Sequence, residues 1–217
     1  MRVGRIQTAI VLLAVASPQG PSARAEAAQA LEASQPSLRV PGLAASALAL
    51  ALRAYRRAQE VNLIGRSRLT VIDYSLASTE RRLWVIDPES GKVLFTERVA
   101  HGRGSGDLVA SQFGNQPQSH RSSLGVFRTA ETYLGAHGYS LRLDGLDKGV
   151  NDQARKRDIV FHAADYATER FGREHGRLGR SFGCPALAPE VARAVIDEIR
   201  GGSIVVAVGG DALASDG

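Results

Sequence analysis

The chain of 217 residues has one cysteine, Cys184, and that scarcity excludes more than any other feature of its composition. A single thiol forms no internal disulfide. Set among histidines scattered at positions 101, 120, 137, 162 and 175, it also lacks the paired spacing of a zinc site. Repeats of solenoid period are absent, and past the N-terminus no uncharged apolar run is long enough to span a bilayer. A strong excess of one charge is missing too. The formal net charge is +5, from 27 basic and 22 acidic side chains, but residues 1–25 hold Arg2, Arg5 and Arg24 and no acid. Without that stretch 24 bases face 22 acids, a balance of +2 that gives no ground for a nucleic-acid partner.

What is present begins with the layout of an export signal. Arg2 and Arg5 precede a largely apolar stretch from Ile6 to Ala16, and Ala23-Arg24-Ala25 offers a small-x-small cleavage pattern before Glu26. Those three parts in that order define a signal peptide, and the apolar part is too short to cross a bilayer stably. An uncleaved amphipathic anchor is the alternative. No cysteine follows the apolar stretch, which argues against lipoprotein processing. The expected organisation is a signal peptide over 1–25, a flexible linker rich in Ala, Ser, Gln and Pro over 26–40, a folded body over 41–208 and a tail over 209–217. After cleavage the protein is expected in the periplasm with no stable membrane span.

Within the body, Pro41 to Leu63 is rich in Ala and Leu with Arg53, Arg56 and Arg57, a helix by propensity that packs on the domain. Leu69–Tyr74, Arg82–Ile86 and Lys92–Val99 are short runs of β-branched, apolar and aromatic residues, and Asp87-Pro88-Glu89-Ser90-Gly91 is a turn between the last two. They read as a β-meander. Apolar residues on both parities of Leu83-Trp84-Val85-Ile86 predict a strand covered on both faces. Gly102 to Ser123 is a long Gly- and Ser-rich loop. Further strands are expected at Leu124–Thr129, Ser140–Leu143, Asp158–His162 and, as a closing strand, Ser203–Val208. Gly145–Arg157 reads as a polar excursion, Ala163–Gly176 as a short or broken helix, and Glu190–Arg200 as a helix opened by Pro189. The fold class is therefore β-rich α+β.

A lone thiol in an exported chain stays open to oxidation, so its presence points to a reactive role. Gly183 and Pro185 flank Cys184 and mark a constrained turn, whereas a cysteine acting as a small buried hydrophobe belongs in a packed strand or helix. A thiol nucleophile needs a neighbour to take its proton, for which imidazole is the usual choice. His162 is the first candidate, at the end of Ile159-Val160-Phe161, where a strand projects side chains into a cleft. His101 and His137 rank second. A structural, hydrogen-bonded role is the competing reading of His162. Ser181 is expected to support the turn through its hydroxyl or carbonyl, and the peptide N–H groups of Gly183 and Cys184 are placed to face an oxyanion. No Asp or Asn stands out as the third partner of His162, so a backbone carbonyl is a candidate. The arginines at 170, 173, 177 and 180 form a basic cluster that would attract an anionic substrate and favour thiolate, although such a cluster is also an ordinary solvated face.

These residues resemble the L,D-transpeptidase catalytic domain, the YkuD-like family of murein-modifying enzymes. The signature is a strand ending in His-Gly, followed some twenty residues later by a Ser/Thr-His-Gly-Cys turn. Phe161-His162-Ala163 matches the first part and Ser181-Phe182-Gly183-Cys184 the second, 22 residues apart from His162 to Cys184. Gly179 to Ala186 matches a subfamily turn reading Gly-Arg-Ser-aromatic-Gly-Cys-Pro-Ala. The likeness also includes Val71-Ile72-Asp73-Tyr74-Ser75, Ser122-Ser123-Leu124-Gly125 and Gly149-Val150-Asn151-Asp152.

The resemblance implies an L,D-transpeptidase-like β-sandwich with flanking helices, a catalytic domain over 41–208, a peptidoglycan stem peptide as substrate, and no metal or organic cofactor. Cys184 would attack the diaminopimelate carbonyl preceding terminal D-Ala of a tetrapeptide stem. D-Ala would leave, and an amine of a second stem would resolve the thioester into a 3→3 cross-link. His162, Ser181 and Gly183 complete the implied catalytic set, with Arg180 and Phe182 as substrate contacts. Ala163 stands where the family has glycine, Phe182 where it has a second histidine, and Pro185-Ala186-Leu187 lacks the polar residue common after the cysteine. Those departures bear on the acceptor. Water in place of an amine would make the same site an L,D-carboxypeptidase, and an idle cleft would make the protein a wall-binding module.

Overall fold

The computed structural model describes residues 38–210. The expected signal peptide, the expected linker up to residue 37 and the expected tail from residue 211 lie outside the described residues.

Eight strands form one mixed sheet. In chain order they are β1 (Leu69–Asp73), β2 (Leu83–Ile86), β3 (Val93–Glu97), β4 (Gly125–Gly135), β5 (Gly138–Gly145), β6 (Val160–Ala163), β7 (Ala186–Leu187) and β8 (Ile204–Val208). Their order across the sheet is β3-β2-β1-β8-β4-β5-β6-β7. The expected meander is present as the antiparallel pairs β1–β2 and β2–β3. The expected closing strand, β8, is present as the last element of the described residues and lies centrally in the sheet, parallel to β1 and antiparallel to β4. Just past β3, the Ala100 N–H donates to the Ala186 carbonyl at 2.8 Å, so the β3 end of the order is bridged to β7 at the other end. The sheet thus curls into a nearly closed, barrel-like sandwich.

Strand parity divides the apolar side chains between two layers. Leu83, Val85, Val205 and Ala207 join Phe127, Leu141, Leu143 and Phe161 in the interior, which helix α3 (Pro189–Ile199) fills with Val195, Ile196 and Ile199. Helix α1 (Ala45–Glu60) packs on β1 and β8 and buries Ala47, Leu48, Ala51 and Tyr55, a helical spacing. All four residues of β2 are buried, as its double-parity pattern predicts. The expected broken helix is a 3₁₀ turn at Asp165–Ala167 followed by α2 (Glu169–His175), which Thr168 caps by accepting the Phe171 N–H at 3.2 Å.

The strands β4 and β5 run further than expected and join in a tight hairpin. Thr132, Tyr133 and Leu134 are half-buried or exposed, yet they pair with Leu141, Ser140 and Tyr139 of β5, after a register shift between Thr129 and Thr132 in which Glu131 falls. Gly138, at φ +72°, supplies the left-handed turn. Motif residues outside the reactive turn serve this framework. Asn151, fully buried, donates to the Leu124 and Val126 carbonyls and accepts the Asp147 N–H, pinning the 146–158 excursion to β4.

Candidate active site

The turn carrying Cys184 is held from both sides. Ser181 Oγ accepts the Gly183 N–H at 3.1 Å and donates to the Cys184 carbonyl at 2.7 Å, closing the turn on itself. The Gly183 N–H is thereby engaged by Ser181 rather than aimed at an incoming oxygen. Gly183 has φ +127°, and a Cβ there would lie 2.8 Å from the Arg121 carbonyl oxygen and 2.9 Å from Ile159 Cδ1, so only glycine fits. Outside the turn, the Ser181 N–H donates to the His101 carbonyl and the Arg103 N–H to the Ser181 carbonyl, zipping residues 101–103 alongside. Buried Ser122 stands behind it, donating to the Gly183 carbonyl at 3.2 Å and accepting the Gly102 N–H at 3.0 Å.

From that turn the half-buried thiol reaches the start of β6. Cys184 Sγ lies 3.4 Å from the Asp158 carbonyl, its acceptor, and takes a hydrogen bond from the Val160 N–H. Asp158 turns that carbonyl inward by adopting φ +52°, unusual for a residue other than glycine. Burial pushes the thiol above its ordinary pKa, while the Val160 N–H and the Arg157 charge pull it back.

His162 sits on the same strand. It is 2 % exposed and paired in register with Ala186 of parallel β7, two residues after Cys184. Its Nδ1–H donates to the Ala163 carbonyl at 2.9 Å, which leaves the Nε2 lone pair as the basic position. The partner of Nδ1 is thus a backbone carbonyl, the type of group expected where no Asp or Asn stood out in the sequence. Burial lowers the His162 pKa, with the Ala163 carbonyl raising it and His137 lowering it. His137, from the β4–β5 hairpin, stacks on His162 with ring centroids 4.4 Å apart. No hydrogen bond joins Sγ to an imidazole among the described residues; His162 lies two strand positions, about 7 Å, beyond Val160.

Both ring nitrogens of His101 are engaged within the protein, Nδ1 by Arg82 and Nε2 by the Gly106 carbonyl. It is fully buried, accepts from Arg82 Nη2 at Nδ1 (2.8 Å), and is held down to about 4 by burial and the Arg82 charge.

The expected substrate contacts divide. Phe182 is 63 % exposed at the lip of the turn. Arg180 instead donates to the Gly106 carbonyl and pairs with Asp107, which also holds Arg177. Arg170 and Arg173 pair with Glu174 and Glu169. The basic cluster read from sequence is therefore engaged by three acids, Glu169, Glu174 and the shared Asp107, and none of its arginines is among the charges that act on Cys184. The cation that acts on Cys184 is Arg157, which sequence reading left in a polar excursion. Its Nη2 would lie 3.2 Å from a Cβ on Gly183. The guanidinium donates to the Gly114 and Arg121 carbonyls and Ser123 Oγ, with no carboxylate in ion-pair range among the described residues. A lone arginine at the end of a loop carries no periodic signal that would have identified it.

Comparison with known proteins agrees with the sequence resemblance. The family model for the L,D-transpeptidase catalytic domain (YkuD_2) matches residues 40–208. Comparison with curated proteins gives no match. Among solved structures, an L,D-transpeptidase from Mycobacterium smegmatis is 14 % identical at TM-score 0.40, covering 64 % of this chain and 57 % of that one. L,D-transpeptidase 1 of Mycobacterium tuberculosis is 15 % identical at TM-score 0.39, covering 66 % and 62 %. An L,D-transpeptidase from Stackebrandtia nassauensis is 16 % identical at TM-score 0.39, covering 66 % and 56 %. The chain spans less than two thirds of the length of each of these three. A family match over more than three quarters of the sequence carries the assignment: the chain belongs to the L,D-transpeptidase catalytic domain family.

Proposed function

We propose that this protein is an exported cysteine acyltransferase that remodels peptidoglycan. The observation that carries the reading is the β6–β7 edge, where a constrained turn presents the chain's one thiol beside the strand that holds a buried, neutral imidazole. Cys184 Sγ attacks the carbonyl preceding the terminal D-Ala of a tetrapeptide stem, and its proton passes to His162 Nε2 as the side chain turns from the Asp158 carbonyl along β6. The C–N bond breaks, His162 protonates the departing D-Ala amine, and a thioester remains. An amine of a second stem then attacks the thioester, forming a 3→3 cross-link and freeing the thiol. The N-terminal basic, apolar and small-x-small segments support a periplasmic site of action.

Mass spectrometry of purified disaccharide-tetrapeptides after incubation with the protein and with Cys184→Ala tests this. Cysteine-dependent dimers lacking one D-Ala are expected. Cysteine-dependent tripeptide without dimers would replace the transferase with an L,D-carboxypeptidase, which the half-exposed thiol favours as the second reading. No product from either protein would leave a wall-binding module.

A further inference from the structure

Beside the reactive turn stands a cation held in place but given no anion. Arg103 donates its backbone N–H to the Ser181 carbonyl at 2.8 Å, which sets its side chain over the next residue of the turn. Its Cζ lies 4.5 Å from the centroid of the Phe182 ring. Its Nε and Nη2 both donate to Nδ1 of His120, at 3.2 and 3.1 Å, and the His120 ring itself packs on Phe182 at 4.6 Å. Because a guanidinium only donates, Nδ1 is the acceptor and Nε2 carries the imidazole hydrogen. The backbone braces this arrangement. His120 adopts φ +52°, and its carbonyl accepts the Gly104 N–H while passing so close to Gly102 that a Cβ there would overlap it.

Two consequences follow from that geometry. The side edge of the Arg103 guanidinium is occupied by His120, so the end edge, with parallel N–H groups on Nη1 and Nη2, remains open. That edge matches the two oxygens of a carboxylate. Second, no acidic side chain lies in ion-pair range of Arg103 among the described residues, whereas Arg66, Arg98, Arg142, Arg155, Arg177 and Arg180 each have one. Phe182 stays exposed beneath it.

We propose that Arg103, seated on Phe182 and aligned by His120, binds a carboxylate that flanks the scissile carbonyl of the donor peptide. The inference rests on the acyl-transfer reading above and gives that site its selectivity. In a stem peptide the two residues joined by the scissile bond carry one free carboxylate each: the C-terminal carboxylate of the departing D-Ala and the one carried by diaminopimelate. Consecutive Cα atoms are 3.8 Å apart, so the Cα of Phe182, the residue that carries Arg103 on its ring, lies at most about 7.6 Å from that of Cys184. Phe182, which replaces a family histidine, thereby acts as the platform for the binding arginine.

Binding to the full chain carrying Cys184→Ala tests this without requiring turnover. Isothermal titration would compare the disaccharide-tetrapeptide with two analogues, one amidated at its C-terminus and one amidated on diaminopimelate. One amide is expected to bind about tenfold or more weakly, and which one it is identifies the carboxylate. Arg103→Gln should weaken the parent peptide by a similar factor while binding that amide no worse, and Arg103→Lys, which keeps the charge but loses the fork, should fall between. Equal binding of all three peptides, no effect of Arg103→Gln, or no binding of the parent peptide would each overturn the proposal. Carboxylate-dependent binding in a protein whose wild type makes no Cys184-dependent product would keep this subsite and remove the catalytic reading instead.

Discussion

At the scale of the residue, the thiol is governed by groups that pull in opposite directions. Burial raises the Cys184 pKa, and the Val160 N–H and the Arg157 guanidinium lower it. Thiolate is therefore scarce near neutrality in the resting protein, and a proton acceptor is needed. Alkylation of Cys184 by iodoacetamide should rise with pH and still be rising above the range of an ordinary thiol. Arg157→Gln should slow alkylation severalfold at neutral pH and move the titration further up, whereas Arg157→Lys should restore much of the rate. A pH profile unchanged in Arg157→Gln would show that the guanidinium only braces the loop. Because burial holds His162 below its ordinary pKa, its Nε2 stays available as a base at neutral pH.

At the scale of the element, the reactive turn depends on one hydroxyl that both accepts and donates within three residues. Ser181→Ala removes both bonds. Turnover should fall about 100-fold through misplacement of Sγ, and denaturant melts should register a loss of about 1–2 kcal/mol. A variant with wild-type turnover would show that Gly183 and Ser122 hold the turn unaided. This turn was legible in the chain, since Gly183, Cys184 and Pro185 break periodicity and Ser181 offers turn chemistry beside them. The strands β2 and β8 were legible for a related reason: they are buried on both faces, and continuous apolar runs are their signature, while β1 and the Ile159–Phe161 run leading into His162 were legible from their β-branched and aromatic residues. The outer half of the β4–β5 hairpin was not, because its half-exposed, polar residues are specified by pairing rather than by burial. Arg103 and Arg157 were hidden for another reason. Their meaning arises only when loops distant in sequence meet the turn, whereas the arginines at 170–180 drew notice by clustering and are matched by nearby acids.

At the scale of the whole molecule, a buried histidine ties stability to pH. His101 has a folded pKa of about 4 and an ordinary value of 6.5, so between those limits the unfolded chain binds a proton that the native protein refuses. Its contribution is present in full above pH 6.5 and is lost as the pH falls toward 4, a total of about 3 kcal/mol. His162, also lowered, acts with the same sign. Urea midpoints measured from pH 7 to pH 4 should therefore decline steadily. A flat curve would mean that His101 becomes protonated within the folded protein. The residues that would do the chemistry sit at a seam: β7 closes the sheet only when β6 lies on one side and Ala100, beyond β3, lies on the other. The two borders of that seam are more than sixty positions apart along the chain, so local structure alone cannot assemble it. A molecule in which that seam is open can still close the local Ser181 turn, but lacks the β6–β7 register that brings the turn alongside the strand of His162. Whatever chemistry that seam carries is thus a late property of folding, available only once its two borders have met.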